Sequence, residues 1–133
     1  MKVKGACHCG HITFDAEIDP GSAFICHCTD CQTLTGSAYR VNALTKAEDF
    51  HLRSGPPAVY VKTAQSGNKR AQAFCPRCGT PIYSAAPHDP QVYVIRVGTL
   101  KQRLQLSPKR QLWSRSALHW AADLHALPHL EQQ

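Results

Sequence analysis

Seven cysteines stand in three tight groups: Cys7-His8-Cys9, Cys26-His27-Cys28-Thr29-Asp30-Cys31 and Cys75-Pro76-Arg77-Cys78. Thiolates one and two residues apart are soft donors that suit zinc. Cys75-Pro76-Arg77-Cys78-Gly79 has the form of a zinc knuckle, in which two sulfurs grip one metal, backbone amides donate to the sulfurs and glycine permits the tight turn. A knuckle supplies half a tetrahedron. Cys7-His8-Cys9-Gly10 also ends in glycine and follows a short strand, so pairing the two makes a closed structural site on Cys7, Cys9, Cys75 and Cys78. That site would close a loop of 65 intervening residues.

Cys26, Cys28 and Cys31 remain, close enough for one loop to wrap a second zinc. Three protein ligands leave a coordination position where a substrate atom or water can be activated. With three thiolates the zinc site carries one negative charge rather than two, so it stays Lewis-acidic enough to take a further thiolate. A thiol bound there would be deprotonated near neutral pH and poised to meet an electrophile. The expectation is two zinc ions per chain, one of structural and one of catalytic type. A closed second site stays open as an alternative, with His8, His11, His27 or His51 as the fourth ligand.

Disulfides are the competing use of cysteine. An odd number cannot pair fully, C-x-C pairs are poorly spaced for internal bridges, and the start Met1-Lys2-Val3-Lys4-Gly5 lacks the apolar run of a secretion signal. A thioredoxin-like site at either C-x-x-C would want a βαβ context, and neither segment is followed by a clear amphipathic helix. A reducing, cytoplasmic location follows. A cysteine-based redox sensor at Cys26, Cys28 and Cys31 is a lesser possibility.

The elements that must position these groups read as short strands separated by turns, so the fold class is mainly β with little helix. His11 to Ile18 alternates, with Ile12, Phe14, Ala16 and Ile18 on one face. Phe24-Ile25-Cys26 approaches the second cysteine group, and Ala38 to Leu44 follows Gly36-Ser37 as a strand. Thr45-Lys46-Ala47-Glu48 fits a capping box and one helical turn. His51 to Ser54 is extended, Gly55-Pro56-Pro57 breaks the chain, and Val59 to Lys62 resumes a strand. Gln65-Ser66-Gly67-Asn68 reads as a hairpin turn leading to a strand from Lys69 to Phe74. Thr80 to Ser84 continues the pattern. Gln91 to Gly98 is the most apolar stretch and the candidate central strand. Trp113 and Trp120 are expected to anchor the C-terminal part.

At 133 residues the chain reads as one domain over residues 1–127, with a tail at residues 128–133. Nine prolines and short apolar runs suggest a loop-rich fold that gains from being pinned by metal. No apolar stretch approaches the roughly 20 residues of a membrane span, which argues against a membrane protein. The formal charge of +6 would fall to about +3 with seven thiolates and two zinc ions in place. Its basic residues are scattered without interleaved aromatics, which speaks for a solvated surface and against nucleic acid.

Gly5-Ala6-Cys7-His8-Cys9-Gly10 followed by Phe14, then the Cys26 group with Gly36-Ser37, then Phe74-Cys75-Pro76-Arg77-Cys78-Gly79-Thr80 resembles the glutathione-dependent formaldehyde-activating enzyme family. The resemblance extends through Val97-Gly98-Thr99-Leu100 to Trp120. It implies a β-tent fold of small antiparallel sheets, a structural zinc on Cys7, Cys9, Cys75 and Cys78, and a catalytic-type zinc on Cys26, Cys28 and Cys31. It further implies a carbon-sulfur lyase that joins or parts glutathione and formaldehyde through S-hydroxymethylglutathione. The partner is then a small thiol such as glutathione. His27 and Asp30 are acid-base candidates by proximity, and Arg40 and Arg53 could meet carboxylates, although a surface arginine is more often just solvated. Tyr39, Tyr60, Tyr83, Tyr93 and the two tryptophans could line a pocket, but at strand spacing they read as core. The alternative function is a non-enzymatic zinc-stabilised module that binds a macromolecular partner.

Overall fold

Alternation of apolar and polar residues sets the first pairing. In β1 (Lys2–Ala6) and β2 (Thr13–Glu17) the buried residues Val3, Gly5, Phe14 and Ala16 share one face, with Val3 opposite Ala16 and Gly5 opposite Phe14. The Phe14 ring lies directly over Gly5: a Cβ at that position would stand 2.0 Å from the ring's Cζ. Glycine is needed there for close approach. β5 (Phe50–Ser54) adds to β2 and completes a three-stranded sheet in the order β1-β2-β5.

A seven-stranded sheet faces it. The computed structural model describes residues 1–133, and within it β3 (Phe24–Cys26), β4 (Arg40–Lys46), β6 (Ala58–Thr63) and β7 (Lys69–Phe74) join β8 (Pro81–Ala85), β9 (Val92–Arg96) and β10 (Arg110–Leu112). The order is β10-β3-β4-β9-β8-β7-β6, so β9 is central as its apolar composition predicts. Only β10 against β3 is parallel. The chain is mainly β, with one α-helix.

Between the sheets lies a core that includes Ile12, Phe14, Ile18, Ala43, Ile82, Ile95, Leu100 and Leu106. Each large side chain here contributes roughly 1.5–3 kcal/mol by leaving water. Phe50 links the sheets, stacking on Tyr93 at 4.6 Å and meeting Phe14 and Tyr83 at 5.3 Å. Cys7 and Cys75 belong to the same buried cluster. The first and third cysteine groups are thus anchored in the core.

The opposite face of the large sheet is polar. Cys26 pairs with Arg40, and Asn42 pairs with both Phe24 and Arg96, which sets Cys26, Arg40, Asn42 and Arg96 on one surface. Between β3 and β4 runs the helix α1 (Thr29–Thr35), which the sequence pattern does not foretell. It buries none of its residues, so it has no apolar stripe to recognise. Its signals are at the ends: Cys28 caps the N-terminus by accepting the Cys31 amide, and Gly36 closes the C-terminus at φ 67°. The flanking strands are antiparallel neighbours, so the segment is not the βαβ unit of a thioredoxin-like site.

Two further expectations are corrected. The turn after β4 exists as a 3-10 segment at Ala47–Asp49, but Lys46 precedes it without a side-chain cap, and Thr45 donates its hydroxyl to the Glu17 carbonyl at 2.6 Å. Trp113 and Trp120 do not anchor the C-terminal part, being 42% and 53% exposed. Residues 123–133 carry only turns and bends. No helix is long and apolar enough to cross a membrane.

Candidate metal centres

The outer cysteine groups sit on two related turns, each closed by a bond from the first cysteine's amide to the carbonyl five residues on. β1 delivers Cys7, whose carbonyl accepts the Gly10 amide at 3.1 Å; β7 delivers Cys75, whose carbonyl accepts the Gly79 amide at 2.9 Å. Both glycines are left-handed, at φ 80° and φ 78°, where a side chain would be strained. Cys7 also donates its amide to the Ile12 carbonyl, and Cys75 to the Thr80 carbonyl. Local turn chemistry therefore repeats, and the sheets bring the repeats face to face.

The four sulfurs converge within 4.8 Å of one another. Cys7 Sγ lies 3.6 Å from Cys9 Sγ, and Cys9 Sγ lies 3.8 Å from Cys75 Sγ. A tetrahedral zinc with bonds of about 2.3 Å places sulfurs roughly 3.8 Å apart, so the donor set fits that ion. A disulfide needs sulfurs about 2.05 Å apart, and all seven cysteines are free thiols. The Ile12 amide donates to Cys7 Sγ at 3.2 Å, and Thr80 Oγ1 is 3.2 Å from Cys78 Sγ. Hydrogen bonds from the Thr80 hydroxyl and amide hold Cys78 down to about 5. Cys9 is pushed up to about 11: the His11 amide lowers it, but desolvation and the neighbouring thiols together outweigh that bond. Cys78 forms a thiolate readily, and gathering four thiolates in one place requires a cation.

The middle group is built differently. Cys26 ends β3, Cys28 caps α1 and Cys31 lies in its first turn, with all three sulfurs within 4.8 Å. The Cys31 amide donates to Cys28 Sγ at 3.3 Å. A hydrogen bond from Cys31 holds Cys26 down to about 5 against the effect of burial, with help from the Cys28 amide and the Lys62 charge. The same bond, with burial, pushes Cys31 far above the usual thiol range. Cys26 and Cys31 thus share a proton, leaving a charge on the pair at neutral pH, and three soft donors so close together suit zinc.

No histidine or carboxylate joins these three sulfurs. His27 is buried, with Nε2 2.7 Å from Gln111 Oε1 and its ring edge-on to Tyr39 at 5.6 Å. His51 lies on β5 in the other sheet. Asp30 accepts from Lys62 Nζ at 2.7 Å. Lys62 and Asp30 line a cavity of about 340 Å³ that opens on Cys28 and is walled by Thr29, Trp113 and Arg115. The Arg115 guanidinium stands 5.0 Å over the Trp113 ring. Trp113 itself takes the left-handed conformation, φ 57° and ψ 38°, which is strained for a bulky side chain.

The two arginines singled out from sequence part company. Arg53 pairs with Asp15 at 2.8 Å on the small sheet, exposed. Arg40 is not a solvated surface residue: it is buried opposite Cys26, and donates to Thr35 Oγ1 and Gln72 Oε1. Sequence reading missed Lys62, Arg115 and Arg96, because contacts between distant segments place them, whereas Trp113, a pocket candidate that read as core, does line the cavity. Of these only Arg96, a charge at the end of the most apolar strand, is conspicuous in the sequence. Burial, then the charge of Arg40, pushes its guanidinium down to about 9, still cationic at neutral pH.

Comparison with known proteins bears on these centres. Residues 2–116 match the family model described as glutathione-dependent formaldehyde-activating enzyme. The chain is also similar to a Rhodobacter sphaeroides protein of known crystal structure, with a TM-score of 0.62 and 21% sequence identity over 84% of this chain and 99% of that chain. At that identity the likeness is one of fold.

Proposed function

Because this chain belongs to the glutathione-dependent formaldehyde-activating enzyme family, we propose that it is a zinc-dependent carbon-sulfur lyase acting on the adduct of a small thiol and an aldehyde, with S-hydroxymethylglutathione as the type substrate. The observation that carries this reading is a three-sulfur cluster, joined by no fourth side chain, that meets a cavity at Cys28. Zinc bound to Cys26, Cys28 and Cys31 would supply a Lewis-acidic position that favours a substrate's thiolate at neutral pH. Cys7, Cys9, Cys75 and Cys78 would hold a second zinc and clasp the two sheets. In this reading residues 1–127 act as one unit with residues 128–133 as a tail, in a reducing cytoplasm, with the β-tent architecture that the family resemblance implies.

The chain's own residues supply the rest. Trp113 offers a flat face and Arg115 a cation to a peptide thiol entering the cavity. In the addition direction the carbon-sulfur bond forms as the carbonyl π pair moves onto oxygen. Lys62, only 18% exposed at its side chain and held by Asp30, stands where it can donate a proton to that oxygen. The proton that the thiol gives up to solvent on becoming a thiolate matches the one Lys62 would donate, and Asp30, half exposed, would relay a solvent proton back to Lys62. His27, tied to Gln111, has no part in this scheme.

Cobalt substitution tests the reading. Glutathione should shift the visible spectrum of the cobalt at Cys26, Cys28 and Cys31, and Cys31→Ser should lose one metal per chain and the spectral response while staying folded. Two metals with spectra indifferent to glutathione would sink it.

A further inference from the structure

A second cavity, of about 510 Å³, is lined by Ala6, His8 and Thr80, neighbours in sequence of the outer cysteines, and by Arg40, which stands opposite Cys26. Its lining has no carboxylate, yet includes Arg40 and Arg96, 5% and 7% exposed. Neither arginine is in an ion pair. Arg96 gives Nη1 to Asn42 Oδ1 at 2.6 Å and Nη2 to Gln72 Oε1 at 2.8 Å, but its Nε is buried with no partner. Arg40 has its Nε on Thr35 Oγ1 and its Nη1 3.5 Å from the same Gln72 oxygen. Every partner these cations have is a neutral oxygen. The rest of the polar lining is His8 and the hydroxyl-bearing Thr35, Ser37, Tyr39, Thr80 and Thr99, beside apolar side chains. Such a set of donors, with no acceptor of matching charge, is what an oxyanion requires.

Charge balance points the same way. Three thiolates facing a dication leave one negative charge at the Cys26 cluster, against two buried guanidiniums. Buried charge without a counter-charge is costly, so the region favours an anion; a thiolate at the cluster would meet that charge, and the guanidinium N–H groups still require oxygen acceptors that a thiolate does not supply. Cys26 and Arg40 are directly opposite each other on adjacent strands, with side chains on one face. In a cysteinyl-glycine unit the sulfur and the terminal carboxylate can stand about 7 Å apart, two residues' worth of extended chain. A thiol at the cluster can therefore present its carboxylate to Arg40.

We propose that the cavity floored by Arg40 and Arg96 is an oxyanion site that takes a carboxylate of the molecule whose sulfur is held at Cys26, Cys28 and Cys31. The carboxylate clause rests on the thiol reading above; the oxyanion site rests on the cavity alone. Formaldehyde is neutral and makes no use of two guanidiniums, so the site selects the thiol by its charge.

The test uses the cobalt-loaded protein titrated with glutathione and with glutathione diethyl ester, which keeps the thiol and masks both carboxylates. Glutathione should bind at least about tenfold more tightly than the ester, and sulfate should compete with glutathione but not with the ester. In Arg96→Lys and Arg40→Lys, which keep the charge and lose the planar fork, the preference should fall below about threefold while ester affinity stays within about twofold. Equal binding of the two thiols by the unmodified protein, or a preference that survives both substitutions, overturns the proposal and leaves the thiol reading standing. If the variants do not fold, the ester comparison alone decides. If the cobalt responds to neither thiol, the thiol reading and the carboxylate clause fall together. Calorimetry with sulfate on the zinc-loaded protein then decides the oxyanion site: saturable heat that Arg96→Lys abolishes sustains it, and no heat overturns it.

Discussion

Replacing Cys75 with serine removes a fully buried sulfur from the outer cluster, and should cost about twice as much stability as replacing Cys31 in the middle one. The reason lies in the length of chain each metal would close. Cys9 and Cys75 are 66 positions apart with sulfurs at 3.8 Å, and a cross-link over that span restricts the unfolded chain by about 4 kcal/mol in the loop-closure treatment. Cys26 and Cys31 are five positions apart, for which the same treatment gives about 2 kcal/mol. Serine at position 75 would also place a hydroxyl among Cys7, Ile12 and Ile82, adding roughly 1–3 kcal/mol if it finds no acceptor. With a urea slope of about 1.5–2 kcal/mol/M, the zinc-loaded Cys31→Ser protein should melt about 1 M earlier than wild type. Cys75→Ser should melt at least 2 M earlier or be unfolded without urea. Urea titrations followed by circular dichroism, with bound zinc measured in parallel, give both numbers. An equal or larger loss for Cys31→Ser would refute the reasoning, since the outer cluster would then not be the clasp.

Gly5→Ala should lose roughly 1–3 kcal/mol in thermal or urea unfolding, because its Cβ would enter the Phe14 ring, and Gly5→Ala with Phe14→Leu should recover part of that loss. Lys62→Met should lower turnover of a thiol-aldehyde adduct by about tenfold or more while changing stability by less than about 1 kcal/mol, as the Asp30 partner is half exposed. Trp113→Asn, a residue that tolerates the left-handed conformation, should leave stability unchanged or raised by up to about 1 kcal/mol and weaken glutathione binding several-fold in cobalt titrations. In metal-free protein at pH 6.5, iodoacetamide should label Cys78 well before Cys9, by peptide mass spectrometry. Both are exposed, but a thiol held near 5 is thiolate above that pH, whereas one near 11 remains protonated.

Much of the fold was legible because its causes are local. Alternation marked β2, the bend at Gln65 to Asn68 marked the β6–β7 hairpin, and the apolar run after Gln91 marked the central strand. The helix α1 was not legible, because it buries no residue and so interrupts no pattern. The aromatic expectation divided for the same kind of reason. Tyr83 and Tyr93 pack with Phe50 between the sheets, whereas Trp113 and Trp120 lie largely outside the core, and residue type alone does not separate the two cases.

The seven thiols show where the division falls. The residues alone determined the turns that carry Cys7, Cys9, Cys75 and Cys78, since a glycine after each pair must accept a positive φ, and that is settled within five residues. The spacing of the groups made four and three the expected division, which the convergence of the sulfurs bears out. Only the tertiary structure decided that Cys9 reaches Cys75 and that Arg40 lies buried opposite Cys26. It likewise decided that Lys62, Trp113 and Arg115 wall the space beside Cys28. Those neighbours are set by strand order and register across dozens of residues, and by the loss of water between two sheets, for which no short stretch of chain carries the information.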